Sequence, residues 1–292
     1  YAFRTSSEGW SREGGIVDMA AASTATTMRV IADSLFAGDP RLTSETAMAH
    51  IAAALDAFSE ARLQALLRLP VVPLTAKARA GRRGQVYLRE TLTQVVRDRM
   101  RREAADDFLG RLITALSDRF DPAEAGALAI DNAATFYLAG HDTTANAITW
   151  TLFLLSEQPV LQDLAATEAA EALGQGKDDP GLPDRLPLLR RVLEESLRLY
   201  PPVPRLDRQA IAADRLGEHD VAPGDIISVW PLIVHRHKKL WDDPDAFDAD
   251  RFLGDAKADR HRFQYIPFGG GPRLCVGARF SALEALTILA HW

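Results

Sequence analysis

Apolar positions recur at helical spacing through most of the first two thirds of the chain, predicting helices over residues 16–36, 44–67, 85–105 and 108–117 and a long one ending near residue 158. Thr43 or Ser44 can cap the second of these. Pro70, Pro73 and the basic run Lys77, Arg79, Arg82 and Arg83 read as a loop before the third. The long helix has three agreeing start signals: Asp121 as N-cap, Pro122 at N1 and Glu124 at N3. With Pro159 marking its end it runs for about 36 residues, or ~54 Å at the helical rise, enough to cross a whole domain.

Further on, an alanine-rich segment reaches Leu173, a polar loop follows, and a helix over residues 186–200 stops at Pro201 and Pro202. Strand signals appear only then, in short pieces over residues 206–213 and 225–229 separated by Pro223 and Gly224. Residues 241–263 are polar, aromatic and rich in turn formers, without either period, and predict an irregular packed coil. A glycine-rich loop leads into a last helical pattern over residues 276–292. The fold class is therefore mainly α with a small β part.

Composition narrows the function classes. Apolar residues make up 47% of the 292 and charged residues 25%, the balance of an ordinary soluble fold rather than of a disordered or integral membrane chain. A formal charge of -6 argues against nucleic acid as the main partner. The one apolar stretch long enough to span a bilayer, residues 135–155, holds His141, Asp142, Thr143, Thr144, Asn146 and Thr149 at its centre, each costly in lipid. A helix that is apolar nearly all round with a polar cluster at its middle is instead buried and lines a site.

The single cysteine, Cys275, excludes both an intrachain disulfide and a cysteine-rich zinc site. It sits in the run Phe268, Gly269, Gly270, Gly271, Pro272, Arg273, Leu274, Cys275, Val276, Gly277. No Gly-Lys-Ser/Thr follows to cradle a phosphate, and no βαβ unit frames a dinucleotide fingerprint. The loop therefore presents a thiol. Glycines that bring amide N–H groups near the sulfur, and a helix start just beyond it, favour an anionic sulfur that could ligate a metal or attack as a nucleophile. Taken alone, Cys275 reads equally well as a small buried hydrophobe.

The spacing Phe-x-x-Gly-x-Arg-x-Cys-x-Gly resembles the haem-binding signature of the cytochrome P450 family at every specified position. Three further resemblances follow the family's order: Ala139-Gly140-His141-Asp142-Thr143-Thr144, Glu195-x-x-Arg198, and Phe247-Asp-Ala-Asp-Arg251-Phe252. Together they extend over essentially all of the chain. The resemblance implies haem b bound through Cys275 as the proximal ligand, pushing electron density onto the iron. It implies Phe268 packed beside the sulfur, Gly277 just after it, Arg273 meeting a haem propionate, Arg208 as a second such partner and Arg205 as a third.

On the other side it implies Ala139 and Gly140 as small residues under a closely approaching haem, Thr143 hydrogen-bonding oxygen at the iron, and Asp142 relaying protons. Gly140, Thr143 and Thr144 share one helix face at i, i+3 and i+4. It leaves His141 free of any ligand role. Glu195, Arg198 and Arg251 would form a structural charge network pinning the coil under the haem loop. The sequence departs at Ala249, where the family usually has proline, and at Asp250, where it usually has glutamate, so the coil is expected to be locally looser.

These implications amount to a haem-thiolate monooxygenase that uses O2 to hydroxylate or epoxidise an apolar small molecule. Electrons would come from NAD(P)H through a separate reductase or ferredoxin, and a soluble, cytoplasmic, bacterial setting is expected from the acidic balance. A haem sensor or inactive fragment, or a peroxide-using or rearranging enzyme, would keep the loop without needing both Asp142 and Thr143. Residues 1–292 are expected to form a single domain, incomplete at both ends, with an amino-terminal lobe before residue 1 and closing strands after Trp292.

Overall fold

The computed structural model describes residues 16–66, 75–101, 107–176, 179–254 and 259–292. Pro70 and Pro73 lie outside them. The chain divides into two compact units, one of residues 24–142 and one that includes residues 143–292.

The first unit is helical. Most of α1 (Met19–Phe36), α2 (Pro40–Thr43), α3 (Glu45–Leu66), α4 (Ala76–Met100), α5 (Phe108–Ser117) and the leading part of α6 (Pro122–Ser156) supply its residues. Ser44 caps α3 through a hydrogen bond from the Ala47 amide, 3.3 Å, and Asp121 caps α6 by accepting from the amides of Ala123 and Glu124, both 2.9 Å. The core joins Phe36, Leu42, Ile51, Leu92, Val95, Leu109 and Tyr137, and the Tyr137 hydroxyl donates to the Leu42 carbonyl at 2.6 Å.

The basic run is a correction to the sequence reading. Lys77, Arg79, Arg82 and Arg83 lie in the first turns of α4, not in a loop, because Thr75 caps the helix by accepting from the Ala78 amide at 3.0 Å. Gly81 and Gly84, which look like breakers, are contact points. A Cβ at Gly84 would lie 2.0 Å from the His50 carbonyl oxygen, and one at Gly81 would lie 2.0 Å from the Ala57 Cβ, so the two glycines let α3 and α4 touch backbone to backbone.

The second unit carries the chemistry. It contains the end of α6, then α7 (Pro159–Gly174), α8 (Pro187–Leu199), α9 (Pro231–Val234) and α10 (Ala278–His291). Proline at the first helical position recurs in α6, α7, α8 and α9, each giving up an amide that had no partner in any case. Strands β1 (Leu206–Gln209) and β4 (Ile226–Val229) pair antiparallel, with Leu206 opposite Val229. Between them β2 (Asp214–Leu216) and β3 (His219–Val221) make a hairpin that falls between the two predicted strand pieces; Gly217, at φ +60°, turns it. The core of this unit centres on Ile148, Leu182, Leu186, Val192, Leu286 and Ile288. Among the described residues no helix is long and apolar enough to cross a membrane.

Candidate active site

The thiol loop is held by its own backbone. Gly269 and Gly271 both take positive φ, +75° and +69°, values that a side chain would strain, and a short 3-10 turn covers Gly271–Arg273. The Cys275 amide donates back to the Phe268 carbonyl at 3.0 Å, and the Ser281 amide donates to the Gly277 carbonyl at 2.8 Å as α10 begins. Cys275 is exposed, so it is not the buried small hydrophobe that sequence alone left open. Its neighbours Leu274 and Val276 are also turned outward, 58% and 81% exposed, which is unusual for apolar side chains within one short loop. Arg273 is exposed beside them, while Phe268 packs against the core behind.

Beneath the loop lies the charge network. Glu195 and Arg198, one turn apart on α8, are 0% exposed. Arg198 donates from Nε to Glu195 at 2.7 Å and from Nη2 at 2.8 Å, a two-point fork. Its remaining donors reach the carbonyls of His235 (2.8 Å), Pro244 (2.6 Å) and Ala246 (2.9 Å). Glu195 also accepts from the Asp248 amide at 2.9 Å, with the Arg251 guanidinium 3.4 Å away. The coil of residues 243–251 is thus tied to the Glu195–Arg198 pair at four points, Pro244, Ala246, Asp248 and Arg251. At the two departures from the family pattern, Ala249 is buried and Asp250 pairs with Arg191.

His235 carries the support up to the thiol, and sequence reasoning missed it because a lone histidine between a strand and a coil bears no motif. It is fully buried, its backbone carbonyl receives Arg198, and its Nε2 accepts from the Ile266 amide at 2.8 Å, two residues before Phe268. A parallel tie runs from the Tyr265 hydroxyl to the Glu194 carbonyl, 2.9 Å. Burial, with the Arg198 charge also opposing protonation, lowers the His235 pKa from 6.5 to about 4.

A pH prediction follows from that imidazole. The folded state keeps His235 neutral where the unfolded chain would protonate it, so its contribution is complete above about 6.5 and drains away as pH falls towards about 4. The loss amounts to about 3 kcal/mol. Denaturation measured across that window should show the excess acid sensitivity in the wild type and not in His235→Gln; parallel curves for the two would contradict it.

In α6 the polar cluster is spread around the helix. Asp142 and Ala139 are exposed, Gly140 and Thr143 half-buried, His141 and Thr144 buried. A Cβ on Gly140 would come within 2.6 Å of Ile31, so its small size serves the packing of α1 in the first unit. His141 Nδ1 lies 2.9 Å from the Tyr137 carbonyl, in the preceding turn of its own helix. Arg208 is exposed on β1, hydrogen-bonded to the Asp207 carbonyl, whereas Arg205 is engaged by Asp207 at 2.6 Å and lies over the Trp230 ring.

Among the described residues no three His, Cys, Asp or Glu side chains gather to hold a bare metal ion. The donor set suits a metal carried inside a flat, largely apolar ligand that asks the protein for one bond. Cys275 offers that bond, Leu274 and Val276 offer apolar contact, and Arg273 offers a cation for a carboxylate. On these observations the residues present fit a haem.

Comparison with known proteins agrees. The family model described as Cytochrome P450 matches residues 8–292. Cytochrome P450 714C3 of Oryza sativa subsp. japonica is 35% identical over 192 residues, 65% of this chain and 38% of that protein. The cytokinin hydroxylase of Arabidopsis thaliana is 39% identical over 171 residues, 56% and 32% respectively, and Probable cytochrome P450 4aa1 of Drosophila melanogaster is 34% identical over 56% and 32%. The crystal structure of the cytochrome P450DA heme domain superposes with a TM-score of 0.84 at 25% identity, covering 100% of this chain and 64% of that one. The matches span about a third of the length of these curated relatives.

Proposed function

Given that this chain belongs to the cytochrome P450 family, we propose that the whole protein is a haem-thiolate monooxygenase acting on an apolar small molecule, with electrons from NAD(P)H delivered by a separate protein. Both compact units are assigned to one haem-binding domain. The observation that carries the reading is the exposed thiol of Cys275 on a rigid loop between outward-facing apolar side chains, with a buried network under it. Haem b, when bound, supplies the activation of O2 by two electrons.

The chain's own residues bind, hold and feed that site. Cys275 would hold the haem iron through its sulfur, which stays in place because the loop's hydrogen bonds are backbone to backbone and its base is tied to His235. Arg273, with Arg208, would neutralise ring carboxylates. Phe268 keeps water from the sulfur's inner side. Asp142 stands in solvent and Thr143 beside it is half-buried, so a proton taken up at the carboxylate can be handed inward through the hydroxyl.

Oxygen uptake, peroxide release and product, measured together, test the reading. Thr143→Ala should keep oxygen uptake while product per reduced cofactor drops and peroxide rises, because protons then reach the site by unguided water. Asp142→Asn should slow turnover by about 10² to 10⁴, the usual worth of a positioned acid. Unchanged coupling and unchanged rate in both variants would refute the assignment of this pair. A peroxide-driven enzyme would instead form product from peroxide alone without electrons.

A further inference from the structure

His235 closes α9 with its side chain 0% exposed, and its Nε2 accepts from the Ile266 amide at 2.8 Å. An amide N–H can only donate, so Nε2 carries no hydrogen and the ring's one hydrogen sits on Nδ1. That buried Nδ1 has no hydrogen-bond partner. A buried donor without a partner is costly, so the arrangement serves the acceptor on the other side of the ring. The ring is also held from swinging: it lies against Tyr265, centroids 5.3 Å apart at 32°, and the Tyr265 hydroxyl is itself bound to the Glu194 carbonyl at 2.9 Å.

The peptide that receives this acceptor is the base of the thiol loop. The Ile266 amide goes to His235, and the Ile266 carbonyl accepts from the Gly269 amide at 3.0 Å, closing the turn that Gly269 makes at φ +75°. Inside that turn the Phe268 carbonyl accepts from the Cys275 amide at 3.0 Å. A shift of the Ile266 peptide is therefore passed to Cys275 through one short turn and one hydrogen bond.

We infer that His235 is a positioning residue for the proposed reaction: as a neutral hydrogen-bond acceptor it fixes the Ile266 peptide, and through the Gly269 turn and the Phe268 carbonyl it fixes the Cys275 sulfur. The inference rests on the proposed function above. Acid is the weak point of such a tie. A proton taken from water at Nε2 turns the acceptor into a donor facing the Ile266 N–H, and the bond breaks. The ionisable groups of the surrounding segments are Glu194, Glu195 and Arg198 on α8, Asp243, Asp245, Asp248, Arg251, Arg260 and Tyr265 in the coil and loop base, and Arg236 and His237 beside the ring's own residue. Glu195 is engaged by Arg198 and Asp245 by Arg236. Burial opposes a charged ring most strongly and the Arg198 and Arg260 cations add to it, against the carbonyls of Leu197 and Arg198, which favour one; the balance lowers the pKa to about 4.

Spectra and amide exchange test the role in the complete haem-loaded protein. His235→Leu removes the acceptor. At neutral pH the thiolate-type Soret band of its reduced carbon monoxide adduct should give way largely to the shorter-wavelength form, and exchange over residues 266–268, read by mass spectrometry, should speed up by about tenfold or more. His235→Gln offers a side-chain oxygen to the same amide and should restore both. On acidification the wild-type band should be lost in a one-proton step towards about 4 and return on neutralisation while helical dichroism persists, and His235→Gln should keep its band through that step. A Leu variant with wild-type band and exchange, a Gln variant that titrates like the wild type, or a wild-type band lost only together with the helices overturns the inference. Should His235→Leu fail to fold, the acid step compared between wild type and His235→Gln still decides. Exchange at residues 266–268 needs no iron, so a difference between the Leu and Gln variants that survives in haem-free protein, beside a wild type that shows no thiolate band at all, would sink the parent reading alone.

Discussion

Replacing Cys275 by histidine should abolish the strongly red-shifted Soret band of the reduced carbon monoxide adduct and, with it, the proposed monooxygenase turnover. Thiolate donation sets both properties, and imidazole in its place is a neutral donor that does not push electron density onto the iron. Cys275 is the only cysteine among these 292 residues. Loss of the signal can be separated from loss of the fold. The Cys275 side chain is exposed, and the hydrogen bond that closes the loop, to the Phe268 carbonyl, comes from the backbone amide and survives any side-chain change. The variant should therefore melt within a degree or so of the wild type when both are free of haem, because surface substitutions away from packed features shift stability little. A thiolate-type spectrum from Cys275→His would refute the assignment. A collapsed melting temperature would show that the thiol is part of the packing.

The sequence disclosed the site in proportion to how much of it is local. Thiol loop, charge pair and long helix are each short patterns with a fixed physical reason: φ > 0 at Gly269 and Gly271, a one-turn spacing from Glu195 to Arg198, an N-cap at Asp121. Helix α5 came out at the expected bounds for the same reason, since Asp107 caps it and Asp118 ends it. What stayed hidden is what arises only when distant segments meet. Gly81 and Gly84 fall before the predicted helix start at residue 85 because close approach of α3 is not written near them. His235 gained its role from Arg198, 37 residues upstream, and Ile266, 31 downstream.

Arg198→Ala should leave little folded, haem-loaded protein. Five hydrogen bonds end on this guanidinium, at 2.6 to 2.9 Å, and the side chain is completely buried. Its removal leaves three carbonyls without a donor, each worth about 1 to 3 kcal/mol when unsatisfied in a dry interior. It also strands the Glu195 carboxylate, which keeps only the Asp248 amide and the more distant Arg251. Breaking a buried ion pair on one side costs about 3 to 5 kcal/mol, against a whole-domain stability of about 5 to 15. The damage also has a direction. Because His235 lies between Arg198 and Ile266, releasing its carbonyl loosens the base of the thiol loop, so haem retention should fail before the helices melt. Arg198→Lys should recover little, since one ammonium cannot serve a carboxylate fork and three separate carbonyls at once. The double variant Glu195→Gln with Arg198→Met should outlast Arg198→Ala, because it buries no uncompensated charge, yet should bind haem weakly because the coil of residues 243–251 remains untied. Thermal melting and haem content, measured on all three variants, separate the two effects. Wild-type values for both in Arg198→Ala would show that the network carries no load.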